Sequence, residues 1–347
     1  MLHPSGRSPR PALRQLARVL GLAASLTLAT VLPAQAQTEQ SQVTLAIQYG
    51  YAYLPVTLAD KLGFFREQAK AAGQPDTQFE IKRISGSPAI NDALISGNID
   101  IGGYGLPGTL VAWQKTQKSL DIRALCALVA GDNALFVNDP SIKSLKDFKA
   151  DQKIAVSSPT GQQALLLQMA AERTFGPGQA HRLDNLMVAL PHPDATASLL
   201  NKAGITGYIG PNPYSYLLAK DAKVTKLFDF SRELDLRMTS GVLTTTGKFV
   251  KRNPKLSAAV VAAIGQAQDF IKAEPRKAAE LFLQSEPSSL SLDQVEEMLR
   301  GVSGEWSVQP IGVMTLATFM VGSGALKEAP QRWQQVFFDP VATGEGN

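Results

Sequence analysis

Tyrosine, hydroxyl and glycine residues gather in short segments of this chain, each placed just after an apolar run. Tyr49, Tyr51 and Tyr53 alternate beyond the run that ends at Ile47. Ser85 and Ser87 flank Gly86 beyond Phe79 to Ile84, Tyr104 and Gly105 follow Ile99 to Gly102, and Ser158, Thr160 and Gly161 follow Lys153 to Ser157. A further turn, Gly210 to Pro213, carries Asn212 and leads to Tyr214. Helix N-termini have N–H groups without intrahelical partners, so several of them converging suit an anionic or strongly accepting ligand end. Tyrosine adds a flat apolar face with a hydroxyl handle, and five of the chain's seven tyrosines fall in these segments. The chemistry expected is non-covalent capture. The acceptor end would meet Ser87 and Thr160-Gly161, and an apolar or aromatic remainder would meet Tyr51, Tyr104 and Tyr214. Taken singly, each serine or threonine reads better as a helix cap. It is the convergence of the set that points to a site. Arg83 is the one basic side chain nearby, which argues against a small oxyanion held by an ion pair.

Bond-making chemistry has little support. The chain has no G-x-S-x-G elbow, H-E-x-x-H helix or Walker loop. Cys126 is its only cysteine and sits in an apolar run, so it reads as core and forms no internal disulfide. The three histidines, His3, His181 and His192, do not group as metal ligands. No metal and no cofactor are expected. Gly103 to Gly108 does match G-x-G-x-x-G, but it closes the second β–α unit instead of opening the first. Asp121 precedes the next strand where a dinucleotide site needs an acid at its end.

The elements that must position these loops form one pattern used twice. In the first half, Val43 to Ile47 reads as a strand, Pro55 to Phe65 as a helix, Phe79 to Ile84 as a strand, Ile90 to Ser96 as a helix and Ile99 to Gly102 as a strand. In the second half the series is Lys153 to Ser157, Gln162 to Thr174, Leu186 to Leu190, Ala195 to Lys202 and Tyr208-Ile209. Alternating strands and helices of this kind predict an α/β fold with two doubly wound sheets. Crossings are expected near Gly131 and Met238. Helices follow over Leu256 to Ala273, Arg276 to Gln284, Leu292 to Arg300 and Met314 to Val321, and they are short enough to need a partner surface. The expected division is 37–129 with 240–347 as one lobe and 130–239 as the other.

The first 36 residues read as an export signal. Arg7, Arg10, Arg14 and Arg18 precede the apolar run Val19 to Leu32, which ends at Ala34-Gln35-Ala36. That run is shorter than the roughly 20 residues a spanning helix needs. Cleavage near Ala36 would start the mature chain near Gln37. Four of the 34 basic residues lie in the signal, which leaves 30 against 30 acidic ones, so the net charge of +4 gives no reason to expect a nucleic-acid partner.

Four segments carry a family resemblance. Leu58 to Phe65 resembles the "A-x-x-x-G-F-F" helix end of the nitrate/sulfonate/taurine (SsuA/THI5-like) class of ABC-transporter substrate-binding proteins. Ala93 to Gly102 is similar to its "A-L-x-S-G-x-x-D-I-G" segment. Ser144 to Phe148 with Lys153 to Val156 resembles its entry to the second lobe, and Phe249 to Pro254 its "F-x-x-x-N-P" helix start. The resemblance runs in order from about residue 43 to 340. It implies a type II periplasmic-binding-protein fold, a ligand in the inter-lobe cleft, a periplasmic monomer, and a membrane permease and ATPase as partners. Two other readings on the same fold are an enzyme, such as a pyrimidine-precursor synthase, and a ligand-loaded sensor partner. Pro211-Asn212-Pro213 departs from the Trp-Glu-Pro of many relatives, which removes a negative charge from the expected pocket.

Overall fold

A computed structural model describes residues 1–2, 39–84, 86–131, 133–286, 288–302, 305–339, 341, 344 and 346–347. Residues 3–36 of the expected export signal, and Ser85, lie outside the described residues. Residues 39–347 form one compact unit.

Strand β1 (Gln42–Ile47) is buried along most of its length, as a strand covered on both faces must be. Helix α1 (Leu54–Lys61) follows, with Pro55 in its first turn, where a missing N–H costs nothing. The single helix expected here is broken at Gly63, whose φ of 80° ends α1 and caps α2 (Phe64–Ala71). Strand β2 (Gln78–Arg83) pairs parallel with β1 from Gln42↔Gln78 to Ile47↔Arg83. Helix α3 (Ser87–Ile95) leads to β3 (Ile101–Tyr104), parallel to β1 on its other side. Helix α4 (Leu106–Thr116) then leads to β4 (Arg123–Ala130).

Here the chain leaves the first sheet. Gly131 marks the departure, because a Cβ there would collide with the Tyr51 hydroxyl. Strand β5 (Asn133–Val137) opens the second sheet. Strand β6 (Ile154–Val156), helix α5 (Gln162–Phe175), strand β7 (Met187–Ala189), helix α6 (His192–Leu200) and strand β8 (Gly207–Pro211) then repeat the first-half pattern. Strand β6 pairs parallel with β7 and β8, and β5 runs antiparallel to β8. After the short helix α7 (Tyr214–Ala219), β9 (Thr225–Asp229) adds an edge beyond β5 that the sequence pattern did not flag. Helix α8 (Phe230–Leu234) precedes β10 (Thr239–Thr245), which returns to the first sheet between β3 and β4, antiparallel to both. The sheet orders are β2-β1-β3-β10-β4 and β7-β6-β8-β5-β9. In each, a strand from the far side of a crossing inserts antiparallel into a parallel set.

Helix α9 (Gly247–Arg252) leads into the 20-residue α10 (Pro254–Ala273), which buries Leu256, Val260, Ile264, Ala267 and Ile271 at three- and four-residue spacing. It lies against α2, where Phe64 meets Phe270 edge-on at 6.2 Å and Gln68 donates to Gln266 at 2.8 Å. Full burial of each large aliphatic side chain contributes about 1.5–3 kcal/mol, so this face holds α10 in place. The carboxylate of Glu39 accepts from the N–H groups of Lys255 (3.0 Å) and Leu256 (2.8 Å), placing an anion at the positive end of that helix. Helices α11 (Pro275–Leu283), α12 (Leu292–Gly301) and α13 (Val313–Gly322) complete the chain's helical end.

Candidate functional site

Parallel α/β sheets place ligands beyond the carboxyl ends of their strands, and here those ends from both sheets face one another. The segments after β1, β2, β3, β6 and β7 and the end of β8 all reach a central cavity of about 50 Å³. An adjoining space of about 200 Å³ shares Gln48, Tyr49, Ser157 and His192 with it. A third space, about 410 Å³, lies between α3, α4 and α5 and includes Ser87, Tyr104, Thr160 and Gly161.

On the first-sheet side the Gln48 carboxamide and the Arg83 and Glu286 charges are already matched. Gln48 donates through Nε2 to the Tyr53 hydroxyl at 3.0 Å and accepts at Oε1 from the Gly86 N–H at 3.1 Å. Arg83, from the end of β2, donates to the Gln48 carbonyl at 2.5 Å and pairs with Glu286 at 2.6 Å, while its guanidinium lies 5.1 Å from the Tyr49 ring centre. The second oxygen of Glu286 accepts from the Gly50 N–H at 3.2 Å. Burial pushes the Glu286 carboxyl upward, and Arg83 and the Gly50 N–H oppose that shift. Burial also raises Tyr53, which stays a neutral phenol.

The second-sheet side differs. Gln162, the first residue of α5, is 7% exposed and lines the central cavity, and its buried Nε2 has no hydrogen-bond partner among the described residues. Asn133, at the start of β5, is 3% exposed and also lines the cavity, and its Oδ1 has no partner among the described residues. His192 stacks on Tyr214 with ring centres 5.5 Å apart, and its Nδ1 lies 2.8 Å from the Tyr208 hydroxyl. Burial lowers the His192 pKa to about 4, so the imidazole is neutral at pH 7. The phenol of Tyr208, itself pushed up by burial, shares this hydrogen bond with Nδ1, and the His192 tautomer sets which of the two donates.

Three contacts tie the two sides together around the cleft. The Tyr51 N–H reaches the Asn212 carbonyl at 3.4 Å. At one rim Tyr216 and Lys220 of α7 meet Glu297 of α12, with the Lys220 ammonium 2.9 Å from the carboxylate. At another, His181 Nε2 lies 2.8 Å from the Ser323 carbonyl beyond α13.

The NMT1-like family matches residues 36–283. The chain belongs to this family. No curated protein matches it. Among solved structures it is similar to the alkanesulfonate-binding protein SsuA from Xanthomonas axonopodis pv. citri bound to MOPS (TM-score 0.69, 18% identity, 87% of this chain and 99% of that one). It is also similar to the ligand-binding component of an ABC-type import system from Staphylococcus aureus (TM-score 0.65, 17% identity, 88% and 98% covered). A Candida albicans protein described as having the generic periplasmic binding protein fold gives a TM-score of 0.65 at 14% identity, with 86% and 96% covered. At these identities the likenesses establish the fold: this NMT1-like chain has the periplasmic-binding-protein fold.

Within that fold the sequence-predicted residues part into groups. Tyr49, Tyr53, Ser87 and Gly105 line the central cavity. Tyr104, Thr160 and Gly161 line the larger space beside it, and Tyr214 borders a separate one under α6. Tyr51 is turned into the core, edge-on to Trp306 at 5.5 Å. Asn212 directs its side chain to Ser215 Oγ at 2.8 Å. The N–H groups of Thr160 and Gly161, expected to meet a ligand, are taken by Ser158 at 3.3 and 3.0 Å, and the Ser158 hydroxyl itself lies 3.2 Å from that of Thr160. Sequence reasoning passed over Gln48, Asn133, Gln162 and Glu286. The first and third bound loops already singled out, whereas Glu286 lies 203 positions from its partner Arg83 and carries no local signal.

Proposed function

We propose that this NMT1-like chain is a solute-binding protein of an ABC importer, capturing a small organic ligand between its sheets and delivering it to a membrane permease and ATPase. The observation that carries this reading is the central cavity, walled by both sheets and lined by Gln162 and Asn133, each with a buried carboxamide atom that has no partner among the described residues. Unmet buried polar atoms are rare, and each asks for an explanation such as a ligand. The SsuA and import-system likenesses support the transport role. The lobes would be 37–129 with 240–347, and 130–239, hinging at the crossings near Gly131 and Met238. The ligand would contact Tyr49, Tyr53, Ser87 and Gly105, with Ser85, Ser158 and Thr160 at the margin.

The enzyme reading is weaker, because the histidine and tyrosine of the cleft are held neutral and Arg83 is paired with Glu286. A histidine with a pKa of about 4 is a poor general base at pH 7, and Cys126 is buried with its thiol pushed up. We read residues 1–36 as a cleaved export signal and the mature protein as a periplasmic monomer; the family match begins at residue 36. Among the described residues no helix is long and apolar enough to cross a membrane.

Protein isolated from the periplasm, denatured and analysed by mass spectrometry, is expected to release one small organic molecule and to begin near Gln37. Protein that carries no solute, and that no periplasmic extract stabilises against heat, would remove the reading.

A further inference from the structure

The cation at the end of β2, beside the central cavity, is occupied. Arg83 is held by Glu286, by the Gln48 carbonyl and, at 3.4 Å, by Thr57, so its charge is matched inside the protein before a ligand arrives. No other described residue around the central cavity carries a charge at neutral pH. What remains unmet is neutral and of both polarities: a donor on Gln162 and an acceptor on Asn133, each more than nine-tenths buried. Neutral atoms of this kind gain little from a bare anion. Nitrate and sulfonates present acceptors only, so they would satisfy Gln162 and leave Asn133 Oδ1 facing a like partial charge. A group with an acceptor and a donor side by side satisfies both.

We infer that the cleft selects an uncharged solute bearing a carboxamide, urea or lactam edge, whose carbonyl accepts from Gln162 Nε2 and whose N–H donates to Asn133 Oδ1, and that it discriminates against simple anions. This rests on the solute-binding reading and sharpens it. The central cavity holds only a few heavy atoms, so the amide edge sits there and the rest of the solute extends into the adjoining 200 Å³ space beside Tyr49 and His192.

The test uses the mature protein with two probe sets, read by thermal shift and calorimetry. Acetamide, N-methylurea and 2-pyrrolidinone form the neutral set; nitrate, acetate and ethanesulfonate form the anionic one. At least one neutral probe is expected to raise the melting temperature, and the anions are expected to leave it unchanged. Affinity for that probe should fall about tenfold in Gln162→Leu and again in Asn133→Leu, the effect of one lost hydrogen bond that leaves its ligand partner unmet. Without probe, both variants should melt no lower than the parent, since an unmet buried polar atom has been replaced by an apolar group. Anions that bind while amides do not would overturn the inference and leave the solute-binding reading standing. Amide binding that neither variant weakens would also overturn it. Silence from both sets overturns it too, and the solute-binding reading falls with it only if protein from the periplasm carries no solute.

Discussion

Gln48 directly follows β1 and Gln162 opens the helix after β6, so each lies between a strand and the next helix of its repeat, and the structure treats them in opposite ways. Gln48 spends both ends of its carboxamide inside the protein, on Tyr53 and Gly86. Gln162 leaves its donor unmet. The same contrast extends outward: Arg83 and Glu286 form a closed pair on the first side, while Asn133 and a neutral His192 face the cavity on the second. The first wall therefore holds Gln48, Arg83 and Glu286 in place through their own contacts before a ligand arrives. The second wall is where a ligand's hydrogen bonds have something to gain. An unmet buried polar atom costs about 1–3 kcal/mol, and a ligand that meets it recovers that cost only in the bound state.

The largest way to break this comparison is to undo the first wall. Glu286→Ala leaves Arg83 without its counter-ion and is expected to lower stability by about 3–5 kcal/mol, as breaking a buried pair does. Chemical denaturation measures it. Arg83 retains 23% side-chain exposure, which favours the lower end. A loss below 1 kcal/mol would mean that the first wall does not depend on the pair.

Acid acts on the second wall. His192 has a folded pKa of about 4 against an ordinary 6.5, so the folded state resists protonation. Its stabilising contribution is complete above pH 6.5 and is lost as pH falls toward 4, amounting to about 3 kcal/mol. Melting temperatures between pH 7 and 4 should fall less steeply in His192→Gln than in the parent.

Smaller effects belong to the rims and the neighbouring space. Thr160→Ala is expected to change ligand affinity by less than about 0.5 kcal/mol, because Thr160 lines the larger space and its hydroxyl lies beside Ser158. A greater loss by calorimetry would move the ligand there. His181 has its pKa raised by the Ser323 carbonyl first and by Asp184 second. Its bridge is thus fully present below the unfolded pKa near 6.5 and weakens as pH rises through the higher folded value. Ligand release should be slightly faster at pH 8.5 than at pH 6, and His181→Ala should erase the difference. The effect is small because the side chain is 57% exposed.

Much of the fold was legible because its signals are local. The alternation of β1, β2 and β3 with helices follows from apolar period and glycine punctuation, and it recurs in β6, β7 and β8. Strand β9 was missed because Thr225–Asp229 is largely polar and half-exposed, an edge strand without an apolar stripe. The split at Gly63 was hidden by apolar residues on both sides of it. At the site, the loops were readable and the side chains were not. Alternation suggested that Tyr49, Tyr51 and Tyr53 act alike, yet a short 3₁₀ turn over Tyr51–Tyr53 replaces the extended backbone and turns Tyr51 inward. Serine and threonine at the start of α5 looked like ligand donors, but Ser158 uses its own oxygens on the neighbouring N–H groups. Glutamine and asparagine, common on any surface, gave no pattern until burial showed which of their atoms lack partners.

A crystal structure of the mature protein with its released solute bound tests the central claim most directly. The account predicts solute atoms within about 2.7–3.2 Å of both Gln162 Nε2 and Asn133 Oδ1, with Arg83 still paired to Glu286. A solute seated instead in the 410 Å³ space beside Thr160, with Gln162 and Asn133 still unmet, would contradict it.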